Sequence, residues 1–177
     1  WHRSLTAGKL LYLEQAAAEA TLGHITVSGT TVTQVNGTIA NGSYVVYAWA
    51  HDSAADGLIQ CGGYSGDGVT GHAITLGWEP QFVMVKEIGG ADDWYVFNAN
   101  TEMSVTNSRH LVANTSAAEA NATVPMVWPI ATGFALRNSS GINSVGESLI
   151  YLAIRRPNKP PASGSEVYQP TAYTGTS

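Results

Sequence analysis

The chain carries five histidines, His2, His24, His51, His72 and His110, as its candidates for metal ligation or proton transfer. No two of them stand in an HExxH pattern or four apart on a helix, the spacing that would aim two imidazoles at one ion, so no zinc motif is present. His51 and Asp52 could meet His72 in space, but a structural or solvent-facing role is expected. Glu79, Glu87 and Glu102 offer carboxylates. Glycoside hydrolysis needs two of them flanking one bond at a set separation, and none sits in a recognisable acid/base motif. Asp92 and Asp93 follow Gly89–Gly90–Ala91 and read as a turn, with calcium as the alternative. Asp52, Asp56 and Asp67 lack the calcium-loop pattern. Ser4, Ser65 and Ser148 have no nucleophile-elbow context. The glycine-rich run from Gly62 to Gly68 lacks the Gly-Lys-Ser/Thr ending of a phosphate loop and reads as tight turns around Tyr64. Cys61, the single cysteine, reads as a small packed residue with no local histidine to activate it. The expectation is a chain with no catalytic residue, no metal and no cofactor.

The aromatic residues are better candidates for recognition. Trp1, Trp49, Trp78, Trp94 and Trp128 are numerous for a chain of 177 residues. Exposed on a β scaffold, such rings stack on sugars or anchor protein contacts. Trp49 and Trp94 lie in strand-like runs and are expected in the core. Trp78 and Trp128 stand near prolines in turn-like contexts and are the ligand or interface candidates. Sequons beginning at Asn36, Asn41, Asn114, Asn121 and Asn138 matter only in a eukaryotic secretory setting.

The elements that must position these residues read as strands. Short segments alternate or are rich in β-branched and aromatic residues: His24–Val27, Thr30–Val35, Tyr44–Ala50, Ala73–Leu76, Phe82–Lys86, Trp94–Asn98, Phe134–Arg137 and Leu149–Ile154. Turn-forming residues separate them, which predicts an all-β antiparallel sandwich, in its lectin-like form a jelly roll. Tyr44–Ala50 and Leu149–Ile154 are almost continuously apolar and are expected as central strands covered on both faces. Leu10–Ala20 and Ser116–Ala122 are alanine-rich and predict short helical crossings at one end of the sandwich.

Composition narrows the partners. The apolar fraction of 44% allows a real core, while charged residues are only 12%. Uncharged polar residues and glycine must therefore cover the surface, as in extracellular or particle-borne β proteins. Net charge is -5 with 8 Lys plus Arg, which argues against nucleic acid as a partner. No stretch is apolar and long enough for membrane insertion, and residues 1–20 lack the apolar core of a signal peptide. Trp1 starts the chain without an initiator Met, as expected of a processed chain or a fragment of a longer one.

An internal repeat is expected. Leu11–Ala20 resembles Leu111–Ala120, most clearly in the shared Ala-Ala-Glu-Ala. Gly29–Val32 then faces Gly133–Leu136, Ser43–Trp49 faces Ser148–Ile154, and Trp1 falls opposite Trp94. On this reading residues 1–52 are the second half of a repeat module and residues 53–156 a complete β-sandwich module. Residues 157–177, with Pro160–Pro161–Ala162–Ser163–Gly164–Ser165, form a linker or tail. A half sandwich exposes unpaired strand edges and must be completed by upstream sequence, another chain or the second unit.

A further set of residues carries a family resemblance. Gly63–Tyr64–Ser65–Gly66–Asp67–Gly68 is followed by Leu76–Gly77–Trp78–Glu79–Pro80–Gln81–Phe82–Val83–Met84–Val85–Lys86 and by Trp94–Tyr95–Val96–Phe97. Thr132–Gly133–Phe134 and the stretch from Leu149 to Pro157 complete the series. This order resembles the repeat module of bacteriophage tail-fibre and related virion proteins of the marine and cyanobacterial phage type. The resemblance covers residues 60–160, while residues 1–50 resemble only the module's second half. It implies a β-sandwich used in elongated homo-oligomers, with Gly66, Gly77, Pro80 and Gly133 at turns and Phe82, Trp94, Phe134 and Tyr151 in the core. Trp78 replaces the family's usual Phe. The implied function is a phage virion structural protein, a tail-fibre or adhesin segment that contributes to fibre assembly and attachment to a host-surface glycan. Its implied partners are copies of itself and other virion proteins. A capsid-decoration protein is the main variant. An extracellular lectin or glycan-processing enzyme is the alternative from a different class.

Overall fold

The computed structural model describes residues 1–21, 25–28, 31–34, 43, 45–122 and 124–156. The tail expected at 157–177 lies outside them. The fold is all-β, and every strand pair is antiparallel. Two small hairpins come first: β1 (Lys9–Leu10) with β2 (Ala20–Thr21), then β3 (Ile25–Ser28) with β4 (Thr31–Gln34). The main body follows in β5 (Ile59–Ser65), β6 (His72–Thr75), β7 (Pro80–Glu87), β8 (Trp94–Asn98), β9 (Ser108–Val112), β10 (Ala120–Ala122), β11 (Val127–Ile130), β12 (Gly133–Leu136) and β13 (Ser148–Arg155).

These strands form a six-stranded sheet in the order β10-β9-β8-β7-β13-β5 and a three-stranded sheet in the order β11-β12-β6. β7 to β10 run as a meander, and β13 returns to lie between β7 and β5. Two-residue alternation decides what each strand buries. Val83 and Val85 of β7, Phe97 of β8, and Leu149, Tyr151 and Ala153 of β13 turn one face of the large sheet inward. Ile74 of β6, Val127 of β11, and Phe134 and Leu136 of β12 answer from the small sheet in the same apolar cluster. Each Val, Leu, Ile or Phe among them gains about 1.5–3 kcal/mol on leaving water. Gly133 is forced where β12 meets β6, because a Cβ there would collide with the Ile74 carbonyl oxygen.

The observed strands match the expected ones at Trp94–Asn98 and to within one or two residues at six others. Three expectations fail. The two alanine-rich runs are not helical: β1 and β2 bracket the first, and Ala120–Ala122 of the second pairs with β9 as β10. Helices this short are marginal without a packed face. Here backbone bonding holds the chain extended, including Glu19 N–H to the Ile88 carbonyl at 3.0 Å. Among the described residues the single helical turn is a 3-10 turn at Ala99–Thr101. The expected central strand at Tyr44–Ala50 is also absent over residues 45–50, which are exposed and form no strand pair among the described residues, while Tyr44 lies outside them. Residues 45–49 and 150–154, which the expected repeat of Ser43–Trp49 and Ser148–Ile154 sets against one another, therefore have different structures.

Strands also form where none was expected. β5 runs through the glycine-rich stretch read as turns. Tyr151 packs over Gly62, whose Cβ would lie 2.5 Å from the phenol oxygen, so only glycine fits on that face. On the other face a Cβ at Gly63 would come within 3.1 Å of Ser4 Cβ. The first residues of the chain thus lie against the outer face of the large sheet. Leu5 and Leu10 are buried, and Trp94 donates its indole N–H to the Tyr12 carbonyl at 2.9 Å.

Candidate functional site

The residues with chemical potential are mostly engaged in holding loops. Asp67 Oδ1 accepts the Val69 N–H at 2.8 Å and the Asn143 side-chain amide at 3.0 Å. Asn143 is fully buried and its Oδ1 lies 2.8 Å from His72 Nδ1. His72 also stands 3.4 Å from Asp67, a His–Asp pair in form. The nearby hydroxyl is that of Tyr64, which donates to the Ile142 carbonyl at 2.7 Å. Burial pushes its pKa well above the ordinary phenol value, so it is a poor nucleophile. The network clamps the turn after β5 to the loop before β13.

The carboxylates are similarly occupied. Glu79 pairs with Arg156 at 2.9 Å, Glu102 with Arg109 at 2.9 Å, and Glu87 accepts the Gly89 N–H at 2.9 Å. Asp92 and Asp93 sit in the turn before β8, where Asp93 accepts from the Asn114 side chain at 2.8 Å. Burial, with Asp92 and Asp93 close by, raises the Tyr95 phenol to about 12. Among the described residues no three His, Cys, Asp or Glu side chains converge to hold a metal ion. Cys61 is a buried free thiol whose pKa burial raises, which disfavours the reactive thiolate.

The tryptophans are redistributed relative to expectation. Trp78 is 3% exposed and belongs to the core, so it offers no face to a sugar. Trp128 lies half-buried on the side of β11 away from the core residue Val127. Trp94, expected in the core with Phe82, shares with it the outer face of the large sheet and is half-buried. Trp49, also expected in the core, is 52% exposed. Phe134 and Tyr151 are in the core as the resemblance implies, their rings 5.5 Å apart and edge to face.

One surface remains without a structural role. Residues 45–50 expose Val45, Val46, Tyr47 and Trp49 together. The Tyr47 and Trp49 rings stack at 6.4 Å with planes 22° apart, so these two alternate side chains lie on one side of the chain. This segment leads directly to the open edge of β5. There the Asp52 N–H donates to the Ile59 carbonyl at 2.8 Å, and the Ala54 N–H and Gly57 N–H close the intervening turn.

The next position on that edge is held by side chains. The Cys61 N–H donates to His51 Nδ1 at 3.1 Å, and Arg3 Nη1 donates to the Cys61 carbonyl at 3.3 Å. His2 works beside them. Its Nε2–H donates to the Tyr151 carbonyl at 2.9 Å while its Nδ1 accepts the Ser4 N–H at 3.1 Å. Both rings must be neutral at Nδ1 to accept these bonds. Burial, with Arg3 adding positive charge, lowers the pKa of each below the ordinary 6.5. Sequence reasoning missed this latch, because nothing in the spacing of Arg3, His51 and Cys61 announces that they meet.

The fold and this surface define an all-β module with an uncovered apolar segment beside an open sheet edge. The chain belongs to the family described as Domain of unknown function (DUF7483), whose model matches residues 1–157. No curated protein and no solved structure matches it.

Proposed function

We propose that this chain is a structural module of a phage virion, a tail-fibre or adhesin segment that contributes to fibre assembly and host attachment. The observation that carries the reading is the uncovered segment Val45–Ala50. A contiguous apolar display of this kind marks a contact surface rather than finished solvent-facing protein. Two features support it. The surface elsewhere is poor in charge, and the residues that resemble the tail-fibre module run through the strands of both main sheets. The sandwich architecture expected from that resemblance is part of the same reading: two antiparallel sheets share one core, in the manner of β-sandwich adhesion modules.

A glycan-binding role is the second reading, favoured by the Tyr47–Trp49 stack, which presents aromatic faces suited to a sugar ring. Gold-labelled antibody against the chain, applied to intact particles and viewed by electron microscopy, tests the first reading. Label along fibres or at the tail tip is the expected result. Label on the head would make the chain a capsid-decoration protein. No label on any particle would sink the virion reading and put the free lectin first.

A further inference from the structure

We propose that Val45–Ala50 of one copy pairs as an added strand with the open edge of β5 in a second copy. This inference rests on the virion reading and names the partner of the same surface. Three observations carry it.

The first is the edge. β5 has β13 on one side, and on the other its outward N–H and C=O groups are identified by what they already bind. Ile59 accepts from Asp52, and Cys61 bonds to His51 and Arg3. Strand groups alternate with a period of two residues, so Gly63 and Ser65 present theirs to the same side. Among the described residues no partner bonds them there. An unpaired row of this kind is a template for another strand.

The second is the strand. Residues 45–50 are exposed and rich in β-branched and aromatic residues, with the Tyr47 and Trp49 rings stacked on one side.

The third is the block within the chain. The hairpin through Asp52 and Ile59 would place residue 50 next against Cys61. His51 occupies that N–H and Arg3 that carbonyl, which keeps the chain's own segment off its own edge. A strand from a second copy enters at the Gly63–Ser65 end, where the edge is open. Each copy then gives one strand and receives another at a different surface. Such a head-to-tail contact closes into a ring or continues as a filament.

The test uses the full chain. Light scattering after size-exclusion chromatography is expected to give the wild type a multiple of the 18.6 kDa chain mass. Tyr47→Asp and Val46→Pro, both at exposed positions, are expected to return it to a single chain with an unchanged melting temperature. A benzophenone amino acid at position 47 then maps the contact in a mixture of isotopically heavy and light chains. Cross-links joining heavy to light chains within Ile59–Ser65 are expected. A monomeric wild type, cross-links confined to single chains, or cross-links landing elsewhere would each overturn the proposal. Gold-labelled fibres with a monomeric free chain would remove strand exchange and leave the virion reading standing. Strand exchange with no label on any particle would keep the interface and sink that reading.

Discussion

Ser148–Arg155 and Val45–Ala50 are written in nearly the same apolar vocabulary, yet one lies at the centre of the large sheet and the other is exposed along its length. β13 sits between β5 and β7, with Leu149, Tyr151 and Ala153 facing the small sheet and Ile150 buried on the opposite face. Val45–Ala50 has no neighbouring strand and no covering layer among the described residues. Composition gave both the ability to be a central strand. What separates them is whether backbone groups on both sides find partners, since an apolar run gains little until its hydrogen bonds and both its faces are covered together.

The sharpest way to test that contrast is to shorten a side chain in each segment. Leu149→Ala opens a cavity between the two sheets and is expected to cost about 2–5 kcal/mol, read from urea or thermal unfolding. An equal cost at Val46 would break the comparison. A smaller effect is expected at the partner of β13. Gly62→Ala pushes a methyl group into the Tyr151 ring and should destabilise by about 1–3 kcal/mol, largely relieved when combined with Tyr151→Ala, as a double-mutant cycle would measure.

Smaller again is the pH dependence of the latch that separates the two regions. His2 and His51 have folded pKa values below 6.5, so just under that pH the unfolded chain binds more protons than the folded one. Their contribution to stability is complete above 6.5 and is lost as pH falls through the folded values. Thermal melts stepped from about pH 8 to about pH 5 should show this decline, and His2→Asn should flatten part of it. A stability that rises on acidification through this range would contradict the neutral-ring assignment. The smallest expected effect is that of Val46→Ser or Tyr47→Ser on the stability of the isolated chain. Both should stay within about 0.5 kcal/mol in chemical unfolding at low protein concentration, because neither side chain is buried within the chain.

Much of the fold was legible in the residues. Alternation at Phe82–Lys86 and Trp94–Asn98, and the apolar run at Leu149–Ile154, located three adjacent strands of the large sheet, because a strand that faces a core must repeat every two residues. β5 was hidden because its glycines serve close packing against Tyr151 and Ser4, a reason found only in residues distant in sequence. β11 was hidden because Pro129 looks like a turn signal, although an edge strand tolerates it. The helices expected from alanine content did not form, since local propensity of this size yields to sheet pairing and loop contacts. The candidate site was the least legible part. Trp78 and Trp128 stood out by context, but burial placed one in the core and half-covered the other.

By itself, then, the sequence determined the all-β class, the low-charge surface and several of the core strands, because these follow from composition and from the two-residue period of a strand. Only the tertiary structure decided which apolar run became the centre of the sheet and which was left outside. That choice depends on long-range pairing. β13 finds β5 and β7 across many residues of chain, while on the open edge of β5 it is His51 and Arg3 that bond the Cys61 backbone, not Val45–Ala50.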